Sequence, residues 1–97
     1  MKLLTKELQR KLPALYSQDG KGYQAVAQVK FFCPWNNWTW YATEYDPGTR
    51  TFFGLVDGHE RELGSFSLDE LESVEHCGLR IERDLYWTPR QLSVCGL

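Results

Sequence analysis

The sequence predicts an α+β domain: an antiparallel sheet of about four to five strands, a short N-terminal helix and a second short helix near residues 67–75. Three observations carry this. Leu4, Leu8, Leu12 and Leu15 recur at helical spacing. Two runs rich in aromatic and β-branched residues, 38–45 and 51–57, flank Asp46-Pro47-Gly48-Thr49, a strong turn signal. Ser67-Leu68-Asp69-Glu70 has the spacing of a capping box ahead of a short amphipathic run.

Thr5 is placed to cap the first helix, with Lys6 and Glu7 in its first turn. Pro13 cannot continue it, so regular structure should end near Leu12. Residues 17–22 form a polar, glycine-rich turn. They lack the Gly-Lys-Ser/Thr ending and the preceding strand of a phosphate loop. Residues 24–32 read as a strand, in which Gln28 and Lys30 alternate with Ala27, Val29 and Phe31. Cys33-Pro34-Trp35-Asn36-Asn37 then interrupts the pattern. Residues 38–45 and 51–57 make a hairpin. With Pro47 and Gly48 as the central turn residues, Tyr41 faces Gly54, Trp40 faces Leu55 and Ala42 faces Phe53. Trp40, Ala42, Phe53 and Leu55 then share the buried face, and a slip of one residue would reverse every face. Gly58 and His59 turn the chain into a fourth strand, 62–66. The second helix spans 68–74 with Leu68, Leu71 and Val74 inward; Ser67 caps the Glu70 N–H and Glu70 reaches back. Gly78 stops it. Leu79, Ile81, Leu85 and Trp87 mark a last extended stretch, which Pro89 keeps at an edge.

A chain of 97 residues predicts one domain, 1–97. Four Trp, five Tyr and five Phe supply large apolar areas to a small core. The net charge of −2 names no partner, but its distribution is uneven. Residues 1–30 carry +4, whereas residues 54–85 set nine carboxylates against Arg61, Arg80 and Arg83, giving −6. Cys33, Cys77 and Cys95 make an odd number of cysteines, and no signal peptide or membrane-length apolar run is visible. The expectation is a cytoplasmic protein without membrane contact.

The cysteines with His59 and His76 show no metal-ligand spacing, so neither a metal nor another cofactor is expected. No residue is assigned as catalytic. Two polar clusters stand out: Asp57, Glu60 and Glu62 with His59 and Arg61, and Glu82-Arg83-Asp84. Alternation in an extended segment sends Arg83 away from Glu82 and Asp84, and Glu44 is the first candidate for its partner. The densest functional signal is aromatic. Trp38 and Trp40 fall on one strand face and Tyr41 and Tyr45 on the other, with Trp35 in the loop before them. Trp35, Trp38, Tyr41 and Tyr45 are therefore candidate binding residues on solvent-facing positions. Only Lys30 and Arg50 are basic nearby, which favours a protein partner over nucleic acid.

Several stretches also carry a family likeness: Lys30-Phe31-Phe32, Trp38-Thr39-Trp40-Tyr41, Phe52-Phe53-Gly54-Leu55-Val56, Glu62-Leu63-Gly64 and Glu82-Arg83-Asp84-Leu85. The chain resembles, over nearly its whole length, a family of short bacterial domains of unknown function often carried on plasmids and other mobile elements. The resemblance implies an accessory role and transfers no catalytic residue or cofactor. Two functional readings follow. One is a non-enzymatic domain that binds another macromolecule, protein by preference, through exposed aromatics. The other is a small hydrolase or nuclease-like enzyme using Glu44, His59 or the 82–84 group.

Overall fold

A computed structural model describes residues 2–96 of the chain. The helix Lys6–Lys11 (α1) starts at Thr5, whose hydroxyl accepts the Leu8 N–H at 3.2 Å, and ends at Leu12. A 3-10 turn at Gly22–Gln24 precedes the strands Val26–Ala27 (β1) and Val29–Phe32 (β2). The expected strand over 24–32 is thus split at Gln28, whose N–H leaves its neighbours to donate to the Ala42 carbonyl at 2.9 Å. The strands Thr39–Asp46 (β3), Thr51–Asp57 (β4) and Arg61–Ser67 (β5) follow. Then come the helix Leu68–Ser73 (α2), a small hairpin of Glu75–His76 (β6) and Leu79–Arg80 (β7), and the strands Glu82–Arg83 (β8) and Arg90–Gln91 (β9). Among the described residues, one five-stranded antiparallel sheet runs in the order β5-β4-β3-β2-β8, and β1 pairs with β9 beside it. The fold is α+β, as the sequence predicts.

The hairpin forms with a different register. Asp46 pairs with Thr51, so four residues close the turn rather than two. Arg50 supplies the left-handed step with φ 55°, and the Asp46 carboxylate accepts the Thr49 hydroxyl at 2.7 Å and its N–H at 3.2 Å. A β-bulge between Ala42 and Glu44 shifts the register again. Trp40 therefore lies opposite Val56, Tyr41 opposite Leu55, Ala42 opposite Gly54 and Tyr45 opposite Phe52. The expected pairs Tyr41–Gly54, Trp40–Leu55 and Ala42–Phe53 do not form. Trp40 and Ala42 do not share a face with Phe53 and Leu55.

Both faces of the sheet are covered. On the first, Val29, Phe31, Ala42, Tyr45 and Phe52 pack under Leu3, Leu4, Leu12, Leu68, Leu71 and Ile81. On the second, Tyr41 and Leu55 pack with Ala27, Leu92 and Cys95, and Trp87 leans on this smaller core. The bulge is what carries Tyr45 across to the first face, against the simple alternation that would keep it with Tyr41.

The Ser67 hydroxyl accepts the Glu70 N–H at 3.2 Å, so the cap forms. Among the described residues the Glu70 carboxylate makes no return bond. Val74 is 38% exposed rather than inward, because α2 ends at Ser73. Gly78 does not stop α2: with Cys77 it turns the β6–β7 hairpin, both residues having positive φ (51° and 82°). The expected extended stretch from 79 to 87 is broken; Ile81 is buried while Leu79 and Leu85 are exposed. Among the described residues no helix is long and apolar enough to cross a membrane.

Candidate functional site

The loop from Cys33 to Trp38 is closed by three hydrogen bonds. The Cys33 N–H donates to the Trp38 carbonyl at 2.9 Å and the Asn36 N–H to the Cys33 carbonyl at 3.4 Å. The Trp38 N–H donates to Asn36 Oδ1 at 2.9 Å. This small loop sets Trp35 and Trp38 at one end of the first sheet face, next to Trp40 at the start of β3. All three are half-buried, packed along the margin of the larger core. The ring centroids of Trp38 and Trp40 lie 6.1 Å apart. Trp35 lies 5.5 Å from the His76 ring, and Trp38 meets His59 edge-on at 5.3 Å and 83°. Trp38 rests directly on Gly58: a Cβ there would come within 2.4 Å of the ring.

Cross-strand pairing places Phe31, Trp40, Val56 and Glu62 in one transverse row of the first face. The row runs outward to the sheet edge at Glu62. Beyond it lies an open cleft of about 260 Å³ lined by Trp38, Val56, His59, Glu60 and Glu62. Among the described residues neither Glu60 nor Glu62 forms an ion pair, since Arg61 turns to Asp57 at 3.0 Å. The arrangement is an indole and an aliphatic wall with two unneutralised carboxylates at the rim, which suits a cationic, partly apolar group.

The other candidate residues go elsewhere. Tyr41 and Tyr45 are 3% and 4% exposed, so neither is solvent-facing. The second face, expected to stay wet, is covered by the C-terminal segment over Tyr41, and the bulge turns Tyr45 into the first core. Burial is the leading reason that both phenols have raised pKa values. Of the named aromatic set, Trp35 and Trp38 remain at the surface.

The polar residues Glu44, Glu82, Arg83 and Asp84 are not gathered into one site. Glu44 is 1% exposed and accepts the backbone N–H groups of Tyr16 at 2.9 Å and Gln18 at 2.6 Å. It anchors the loop after α1 and is not the partner of Arg83. Arg83 Nη1 donates to the carbonyls of Lys2 and Leu3, holding the N-terminal segment over the sheet. Asp84 accepts the Tyr86 N–H at 2.9 Å and lies 3.8 Å from the Lys30 ammonium. Glu82 is half-buried on β8 at the rim of a different groove, which Leu3, Leu71, Leu79 and Ile81 also line. Among the described residues no group of three or more His, Cys, Asp or Glu side chains is placed to hold a metal ion.

In the sequence, Glu60 and Glu62 stand out only as part of a charged cluster. Their relation to Trp38 depends on the Gly58 turn and on the true register, which joins Trp40 to Glu62 through Val56. Tyr86, which no sequence motif marks, is 93% exposed beside Leu85 at 61%, an apolar loop tip on the opposite margin of the sheet.

The chain belongs to the family described as Protein of unknown function (DUF2958), whose model matches residues 3–95. No curated protein and no solved structure matches it.

Proposed function

We propose that this domain is a non-enzymatic interaction module that binds a protein partner through the sheet end formed by Trp35, Trp38 and Trp40. The observation that carries this reading is the row of half-buried indoles ending at an open cleft. Large aromatics held rigidly at a surface supply binding area at little cost in conformational freedom, and they dominate measured interface energetics. The setting the resemblance implies would make it an accessory domain of a bacterial mobile element. The hydrolytic reading has less support. Glu44 is sealed by its two backbone donors, and His59 touches the Trp38 ring without a side-chain hydrogen bond to Glu60 or Glu62 among the described residues.

The test is affinity capture from a lysate of the source cell with the wild-type chain and three variants: Trp35→Ala, Trp38→Ala and Tyr86→Ala. Circular dichroism first establishes that each variant is folded. The partner should be lost or depleted with the two tryptophan variants and retained with Tyr86→Ala. Retention by both tryptophan variants with loss on Tyr86→Ala would move the contact surface to the 85–87 loop.

A further inference from the structure

β5 is an edge strand. Seven residues pair with β4 on one side, and among the described residues no strand or loop pairs with the other. Natural sheets blunt such edges with charge, Pro, bulges or a covering element. Here β5 pairs with β4 without a break and contains no proline, and its charged residues, Arg61 and Glu62, are confined to its first two positions. Its residues on the first face are Glu62, Gly64 and Phe66. Glu62 ends the Trp40 row, and nothing lies within 4 Å of where a Cβ on Gly64 would sit. Phe66 stacks on Phe52 at 5.2 Å and is only half-buried. Side by side along the edge are therefore an unpaired carboxylate, an open step over a glycine and an apolar ring.

We propose that this edge receives an extended, basic segment of a partner protein as an added antiparallel strand. The proposal rests on the interaction reading above and names the chemistry of the partner. Backbone pairing along β5 supplies the bulk of the affinity, and alternate side chains supply the specificity. The residue opposite Glu62 is Lys or Arg, which extends the Trp40–Val56–Glu62 row; a second basic residue two positions further on reaches Glu60 and the Trp38 ring. The residue opposite Gly64 is large and aromatic, covering the bare backbone. The residue opposite Phe66 is apolar. A second copy of this chain fits poorly. Two-fold pairing about Gly64 sets Glu62 against Phe66 of the other copy and leaves both carboxylates unneutralised.

The probe is the capped octapeptide Thr-Val-Thr-Phe-Val-Lys-Thr-Lys, titrated into the ¹⁵N-labelled full chain and followed by NMR. Its Val, Phe and two Lys residues at even positions face Phe66, Gly64, Glu62 and Glu60. Shifts should concentrate on residues 60–67 and the Trp38 indole. Exchanging both Lys for Glu should weaken binding about tenfold or more, and added salt should weaken the Lys peptide. Two further peptides carry N-methyl groups at odd or at even residues. In a strand these amides point to opposite sides, so one pattern should abolish binding and the other should keep it. Absence of shifts along β5, or equal binding by the two methylated peptides, overturns the proposal. A dimer with protected β5 amides in the absence of peptide also overturns it. A Glu62→Lys variant separates this inference from the broader reading. Full capture of the lysate partner by Glu62→Lys, with loss on Trp35→Ala, sinks the added strand and leaves the tryptophan surface standing.

Discussion

Single residues decide how closely the strands can approach. Gly54 and Gly64 are neighbours across β4 and β5 on the same face, yet they do different jobs. A Cβ on Gly54 would lie 1.8 Å from the Tyr41 carbonyl oxygen, a backbone atom that cannot step aside, whereas one on Gly64 would meet open space. Gly54→Ala should therefore cost about 3 kcal/mol through overpacking against the bulged strand. Gly64→Ala should be neutral or stabilise by about 0.5 kcal/mol, since alanine orders a strand better than glycine. Urea denaturation of the two variants checks the contrast, and equal effects would contradict it. Glu44 is the other decisive residue. Its two oxygens each take one backbone N–H from the loop after α1, while Thr43 beside it donates to the Phe53 carbonyl at 3.1 Å. Glu44→Gln keeps one acceptor and points an amide NH₂ at the other donor, which should cost about 2 kcal/mol. Faster hydrogen exchange confined to the amides of Tyr16 and Gln18 would show that the loss is local; unchanged exchange would place the anchoring elsewhere.

Elements formed by near neighbours were legible in the sequence, and those set by backbone irregularities were not. Strands β3 and β4, the Thr5 cap and the Ser67 cap follow from composition and spacing over a few residues. The hairpin register failed because two non-glycine features reset it: Arg50 in the left-handed region and the bulge at Thr43. Neither residue type announces such a conformation. The same bulge hid the fate of Tyr45, and the cover over Tyr41 comes from Leu92 and Cys95, distant in the chain. Of the four aromatic candidates, Trp35 and Trp38 are half-buried at the margin of the larger core, whereas Tyr41 and Tyr45 are buried. The local part can be tested at α2. Ser67 caps Glu70 and sits where β5 turns into the helix, and Arg50 braces the same corner through Asp69 at 2.6 Å and through Glu72. These ion pairs are exposed and contribute little. Ser67→Ala should therefore cost about 1 kcal/mol, the ordinary value of a lost N-cap, without rescue from Arg50. A denaturation midpoint equal to that of the parent chain would mean that the strand alone positions α2.

At the scale of the molecule, the sheet is held between unequal covers. The first face has two helices and the N-terminal leucines; the second has a short C-terminal segment closing over Tyr41, Leu55 and Ala27. Two groups whose pKa values folding raises meet here, Tyr41 on the sheet and Cys95 in the cover. Burial, and after it the nearby Cys95 and Asp57, holds the Tyr41 phenol above its ordinary 10.0. Burial likewise holds the Cys95 thiol, which contacts the Gln91 carbonyl at 3.3 Å, above its ordinary 9.0. Both are neutral acids raised by folding, and that fixes the sign. Below about pH 8 each is protonated whether the chain is folded or open, so their contribution to stability is fully present. As the pH climbs through 9 and then 10, the unfolded chain ionises first, and stability falls until the raised folded values are passed. The urea midpoint should be level from about pH 7 to 8 and decline above that. Cys95→Ala should delay the onset, and Tyr41→Phe should lessen the decline above about pH 10, leaving the share of the buried Tyr45 phenol, which burial also raises. The readout is the slope with pH, because either substitution can also lower stability at neutral pH by disturbing the packing. A midpoint that stays level to about pH 11 in the parent chain would show that the second cover opens to solvent well before the sheet unfolds.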